Sequence, residues 1–183
     1  MEGLEFYIYE NQLWVITEEG KNILVDESNK EMVQKLCDMI REYFPVAYKA
    51  LAKEYQKSSF NVGYFQWLIV RRFYKCNFGK LDPTQQDIEK NGKFNFEKVD
   101  CPLRGECKLE GIVCGPKFNT SLSQAEERVM RLLYEGRSKE EIAEALFISP
   151  CTVKNHIISA YCKLGVHEKA DFIRLANERN LFH

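Results

Sequence analysis

Two groups of side chains in this sequence have the types and spacing to do chemistry. Cys101, Cys107 and Cys114 follow one another as C-x5-C-x6-C among Gly and Pro residues, and Cys76 lies upstream. Four thiolates can hold a tetrahedral zinc ion or an iron–sulfur cluster. The spacing lacks the C-x2-C pair that marks many zinc sites, so inert thiols, redox-sensing thiols and a structural disulfide stay open beside the metal. The second group is Thr152, Lys154, Asn155, His156, Ile158 and Lys163, all within one segment that begins Ser149-Pro150. Lys and Asn donate to purine edges, Thr and a free helix N-terminus meet phosphates, and Ile packs against a thymine methyl. Lys154 and Lys163 are the only charged residues between 149 and 164, so the segment is a local basic patch.

Other chemistries are excluded or weak. No His precedes His156, so a Cys–His pair cannot form in the front of the chain, and no phosphate- or dinucleotide-binding glycine pattern occurs. The chain is therefore expected not to be an enzyme. Net charge is −1, and from residue 120 onward nine Lys or Arg face nine Asp or Glu. Affinity for nucleic acid must come from local arrangement rather than from bulk charge. The first residues show no secretory pattern, and the longest apolar run, at 65–70, is too short to span a bilayer. The expectation is a cytoplasmic protein with no membrane partner.

The elements that must position these groups follow from patterning. An α+β front domain is expected over residues 1–118. Its short β meander comprises Phe6-Tyr7-Ile8-Tyr9, Leu13-Trp14-Val15-Ile16-Thr17 and Asn22-Ile23-Leu24-Val25, with Glu10-Asn11-Gln12 as the first turn. Ser28 with Glu31 reads as a capping box ahead of a helix carrying Met32, Val33, Leu36, Met39, Ile40 and Phe44. Pro45 opens a second helix with Val46, Ala47, Leu51 and Tyr55 inward. A third is expected over 60–75, its aromatic face (Phe65, Leu68, Ile69, Phe73, Tyr74) being core, with Asn77-Phe78-Gly79 as its stop. Residues 79–120, punctuated at Asp82-Pro83, Asn91-Gly92, Cys101-Pro102 and Gly115-Pro116, allow only short helices and carry the cysteine loops.

Residues 119–183 read as an all-α domain of four helices. Ser123 with Glu126 and Ser138 with Glu141 are capping boxes, Gly136 stops the first helix, and Phe147-Ile148 turns the chain. Ser149 then caps a third helix with Pro150 at its first position, and Gly165 ends it. Val153, Ile157, Ala160, Tyr161 and Leu164 share one face of that helix, which leaves the donor residues on the other. A fourth helix is expected over 168–179. Two short helices joined by a tight turn, the second capped and polar outward, are the pattern of a DNA-reading helix-turn-helix. The plain alternative is a four-helix segment whose polar face meets only water.

Leu122-Ser123, Glu126, Val129, Gly136, Ile142-Ala143, Leu146, Ser149, Thr152-Val153-Lys154, His156 and Lys163-Leu164-Gly165-Val166 together resemble the LuxR/GerE-type DNA-binding domain. The resemblance implies a transcription factor that binds double-stranded DNA as a homodimer on inverted half-sites. It implies that the third helix enters the major groove and that helix 168–179 helps dimerise. Lys154, Asn155 and Ile158 are then the base-facing candidates, with Thr152, His156 and Lys163 nearer the backbone. Ile158 departs from the polar or basic residue that relatives often carry there. The front region, through its Cys-Asn-Phe-Gly and Cys-Pro-Leu-Arg-Gly segments, resembles that of some LuxR-type regulators of anaerobic gut bacteria. It lacks the alternating strands and helices of a phosphorylatable receiver. A metal- or redox-responsive sensor, or a module that docks RNA polymerase or another regulator, are its alternative roles.

Overall fold

The computed structural model describes residues 3–81, 85–90, 92–179 and 181–182. The expected turn at Asp82-Pro83 and the Asn91 half of the next one lie outside these residues. The chain divides into two compact units, with the boundary in the sequence between Phe118 and Asn119.

The first unit opens with an antiparallel meander, β1 (Glu5–Tyr9), β2 (Gln12–Ile16) and β3 (Asn22–Leu24), in that order across the sheet. Tyr9 pairs with Gln12, so the turn is only Glu10 and Asn11, both with positive φ. That is a two-residue hairpin, and Gln12 belongs to the strand rather than to the turn. Phe6 pairs with Val15, and both are buried with Leu13. Three helices follow: α1 (Lys30–Tyr43), α2 (Pro45–Glu54) and α3 (Val62–Asn77).

Several local expectations need correction. Asn29, not Ser28, occupies the N-cap of α1, and no side chain caps it. The Ser28 hydroxyl instead donates to Asp26 at 2.6 Å, a local turn bond that competes with capping. Val46 is 68% exposed, while Ala47 and Leu51 are the buried residues of α2. The third helix starts at Val62, capped by Asn61, and leaves Phe60 89% exposed. It ends with Phe78 extended rather than in a left-handed turn.

The aromatic face of α3 is core. Phe73 lies 5.3 Å from Phe44, and Tyr74 lies 4.2 Å from Phe6, between ring centroids. Phe94 and Phe96 pack on Phe44 from the connecting segment. The described residues of 79–118 form turns and no helix. Backbone bonds between Leu4 and Ile88, 2.9 and 3.0 Å, tie that segment to the start of the meander. Burial of this many rings, each a large apolar area, anchors a segment that has little secondary structure of its own.

The second unit holds α4 (Gln124–Tyr134), α5 (Lys139–Leu146), α6 (Pro150–Leu164) and α7 (Lys169–Glu178) around Val129, Met130, Ile142, Val153, Ala160 and Phe172. Both capping boxes, Ser123 with Glu126 and Ser138 with Glu141, are present. Gly136 and Gly165 take positive φ just beyond α4 and at the end of α6, the conformation that favours glycine at a helix stop. Among the described residues no helix is long and apolar enough to cross a membrane.

Candidate nucleic-acid interface and thiol pocket

The turn between α5 and α6 is set by Phe147, which is left-handed at φ 55° and ψ 42°. The backbone N–H of Ile148 reaches back to the Ala143 carbonyl at 3.0 Å and closes the end of α5. Ser149 then starts α6: its Oγ accepts from the Thr152 backbone N–H at 3.0 Å and lies 2.8 Å from the Thr152 hydroxyl. Pro150 at the first helical position has no N–H to leave unpaired.

Helix α6 buries Val153, Ile157 and Ala160, which fixes what the opposite face presents. Lys154 and Asn155 are exposed, Ile158 is 57% exposed, and Thr152 and His156 are half-buried. Among the described residues Lys154, Asn155 and Ile158 form no side-chain hydrogen bond or ion pair. Cys151 and Cys162 are exposed on the same helix. Lys163 is differently placed. Its Nζ lies 2.7 Å from Glu126 Oε2, so its charge is compensated within the unit.

Glu126 was legible only as half of a capping box. Its Oε2 also accepts from the Ser123 backbone N–H at 2.7 Å, and its Oε1 from the Ser159 hydroxyl at 2.6 Å. One buried carboxylate thus joins the start of α4 to the middle and end of α6 and holds the outward face of α6 in register. The Lys163 ammonium, then Ser159 and the Ser123 backbone, pull its pKa from 4.5 to about 2. Phe147, 95% exposed beside the start of α6, is a second feature that patterning did not single out.

In the first unit Cys76, Cys101, Cys107 and Cys114, taken from the end of α3 and from three loop positions, line one small pocket with Arg72, Arg104 and Glu110. All seven cysteines are free thiols. Arg72 Nη2 donates to Cys107 Sγ at 3.6 Å. Burial pushes the Cys76 thiol up to about 12, and the Cys114 thiol is raised for the same reason. The expected ligands therefore share one place, but no group of three or more Cys, His, Asp or Glu among the described residues is drawn together as around an ion. Asn77 was legible only as part of a helix stop. Its side chain is buried, donating to Val113 O and accepting from Gly115 N–H, both at 2.8 Å, so it brackets Cys114.

Residues 120–176 match the family described as bacterial regulatory proteins, luxR family (GerE). Residues 120–176 are a luxR-family regulatory domain. The putative HTH-type transcriptional regulator Rv0890c of Mycobacterium tuberculosis is 41% identical over 59 residues, 32% of this chain and 7% of that protein. The HTH-type transcriptional regulator MalT of Klebsiella pneumoniae is 40% identical over 98 residues, 51% of this chain and 10% of its own length. The chain thus spans a tenth or less of these relatives. No solved structure matches it significantly.

Proposed function

We propose that this chain is a sequence-specific DNA-binding transcriptional regulator, working as a homodimer on inverted half-sites. The observation that carries the reading is the outward face of α6. Lys154, Asn155 and Ile158 are exposed there, form no side-chain hydrogen bond or ion pair among the described residues, and lie within the luxR-family domain, behind a helix start capped by Ser149.

In this reading α6 enters the major groove. Lys154 and Asn155 donate to base edges, and Ile158 contacts a thymine methyl. Thr152 and the α6 N-terminus meet one phosphate, where the helix dipole favours the anion. His156 and Lys163 lie nearer the backbone, and Glu126 keeps Lys163 at a fixed place rather than free to sweep. Helix α7, with Ile173 and Leu175 half-buried, supplies the dimer contact. With near-zero charge across the domain, one copy binds weakly and two half-sites are needed. The protein acts in the cytoplasm, without catalysis of its own, and the first unit regulates the output or contacts RNA polymerase.

Selection from random duplexes with the full chain tests the proposal. An enriched inverted repeat is expected, with affinity falling steeply as salt rises because lysines release counterions from phosphates. Absence of any enriched sequence, or binding indifferent to salt, overturns it.

A further inference from the structure

The first unit brings four cysteines from distant parts of the sequence to one place. Cys76 ends α3, while Cys101, Cys107 and Cys114 come from a segment of turns, yet all four line one pocket. The fold commits buried polar groups to this convergence. Asn77, fully buried and next to Cys76, holds Val113 and Gly115, the two residues flanking Cys114.

The charges around the pocket are unbalanced for neutral thiols. Arg72 and Arg104 line it, and Glu110 is the one carboxylate among the lining residues. Glu110 is already engaged, by the Gly105 N–H at 2.6 Å and by Arg104 at 3.7 Å. Arg72 forms no ion pair with a carboxylate among the described residues. Its Nη2 reaches the Cys107 Sγ at 3.6 Å. Its Nε is buried without a hydrogen-bond partner. A buried guanidinium N–H without an acceptor is costly, and a metal-bound thiolate is both an acceptor and a counter-charge.

We infer that Cys76, Cys101, Cys107 and Cys114 form a four-thiolate metal centre, with Arg72 donating to its sulfurs as a positioning residue. The sulfurs as they stand are not gathered around a point. One of them, Cys107, is held by Arg72. Binding replaces four S–H protons by metal–sulfur bonds and releases the protons to solvent; no electrons are transferred. A single zinc ion needs sulfurs about 2.3 Å from it, and the turns carrying Cys101 and Cys107 supply the freedom to close. Cys76, Cys101 and Cys114 also border a larger open cavity of about 490 Å³ beside this pocket, through which an ion can reach them. An iron–sulfur cluster uses the same four thiolates and requires a wider opening of the loops.

The test is metal analysis of the full chain purified under nitrogen, together with Co²⁺ titration of metal-stripped protein. About one zinc per chain, with a thiolate-to-Co²⁺ charge-transfer band saturating at one equivalent, supports a single-ion centre. About four irons with matching acid-labile sulfide supports the same four ligands around a cluster. Cys107→Ser is expected to weaken metal binding well beyond about tenfold, and Arg72→Gln by about tenfold. The Cys151→Ser/Cys162→Ser variant, altered on the exposed face of α6, retains wild-type metal content. Wild-type protein with neither zinc nor iron above background and no charge-transfer band overturns the inference, whether or not any variant folds. So does a Cys107→Ser protein that holds metal as tightly as wild type.

Discussion

Replacing Glu126 by alanine isolates the tie that holds α6 on α4. The carboxylate is buried, with 4% exposure, and accepts from the Ser123 N–H, the Ser159 hydroxyl and the Lys163 ammonium at 2.6–2.7 Å. Loss of the capping carboxylate costs about 1 kcal/mol. Loss of a hydrogen bond to a charged group costs about 1.5 kcal/mol more, since Ser159 is left without its acceptor. The Lys163 contribution is discounted, because its side chain is 39% exposed and its ammonium returns to water. The expected destabilisation of the second unit is therefore about 2–3 kcal/mol, against less than about 1 kcal/mol for Lys163→Ala. Hydrogen exchange read peptide by peptide on the full chain measures both, and the change should centre on α4 and α6. The pH dependence follows from the depressed carboxyl. Its stabilisation is complete above the ordinary value of 4.5 and disappears as pH falls toward about 2. Glu126→Gln should lack that acid-side component. Equal effects of Glu126→Ala and Lys163→Ala, or unchanged exchange in α6, would refute the reasoning.

Asn77→Ala is expected to destabilise the first unit by about 1–3 kcal/mol, since it strands the buried Val113 carbonyl and removes the acceptor of the Gly115 N–H beside Cys114. Trp14 and Trp67, the only tryptophans, both lie in that unit, so fluorescence-detected urea unfolding reads it directly. Phe147→Gly is expected to stabilise the second unit by about 0.5–1 kcal/mol, by relieving a left-handed side chain that is 95% exposed. Slower exchange across α5 and α6 would show it, and faster exchange would show that the ring makes a contact worth more than the strain.

The second unit was almost wholly legible because its signals are local. Ser123 with Glu126, Ser138 with Glu141 and Ser149-Pro150 each set a helix start within four residues, and Gly136 and Gly165 set the stops. The reach of Glu126 to Ser159 and Lys163 was not legible, because it spans 33 and 37 residues and depends on how the helices cross. In the first unit the meander and the aromatic core followed from alternation and ring content. The cap of α1 did not, since Ser28 satisfies Asp26 instead of the helix. The convergence of Cys76 with the three loop cysteines could be suspected from residue type alone. Its placement needed Asn77, a buried amide that no periodicity marks, and rings such as Phe94 and Phe96 that fasten the loops to the core.

The central claim is that the exposed face of α6 reads DNA sequence. Its most direct test is the affinity of Lys154→Ala/Asn155→Ala protein for the duplex selected by the wild-type chain, measured beside an unrelated duplex of equal length. Both side chains are exposed and without internal partners among the described residues, so hydrogen exchange in the variant should match wild type. The account predicts that preference for the selected duplex disappears while weak, salt-sensitive binding to both duplexes remains. Undiminished preference in the double variant would contradict it.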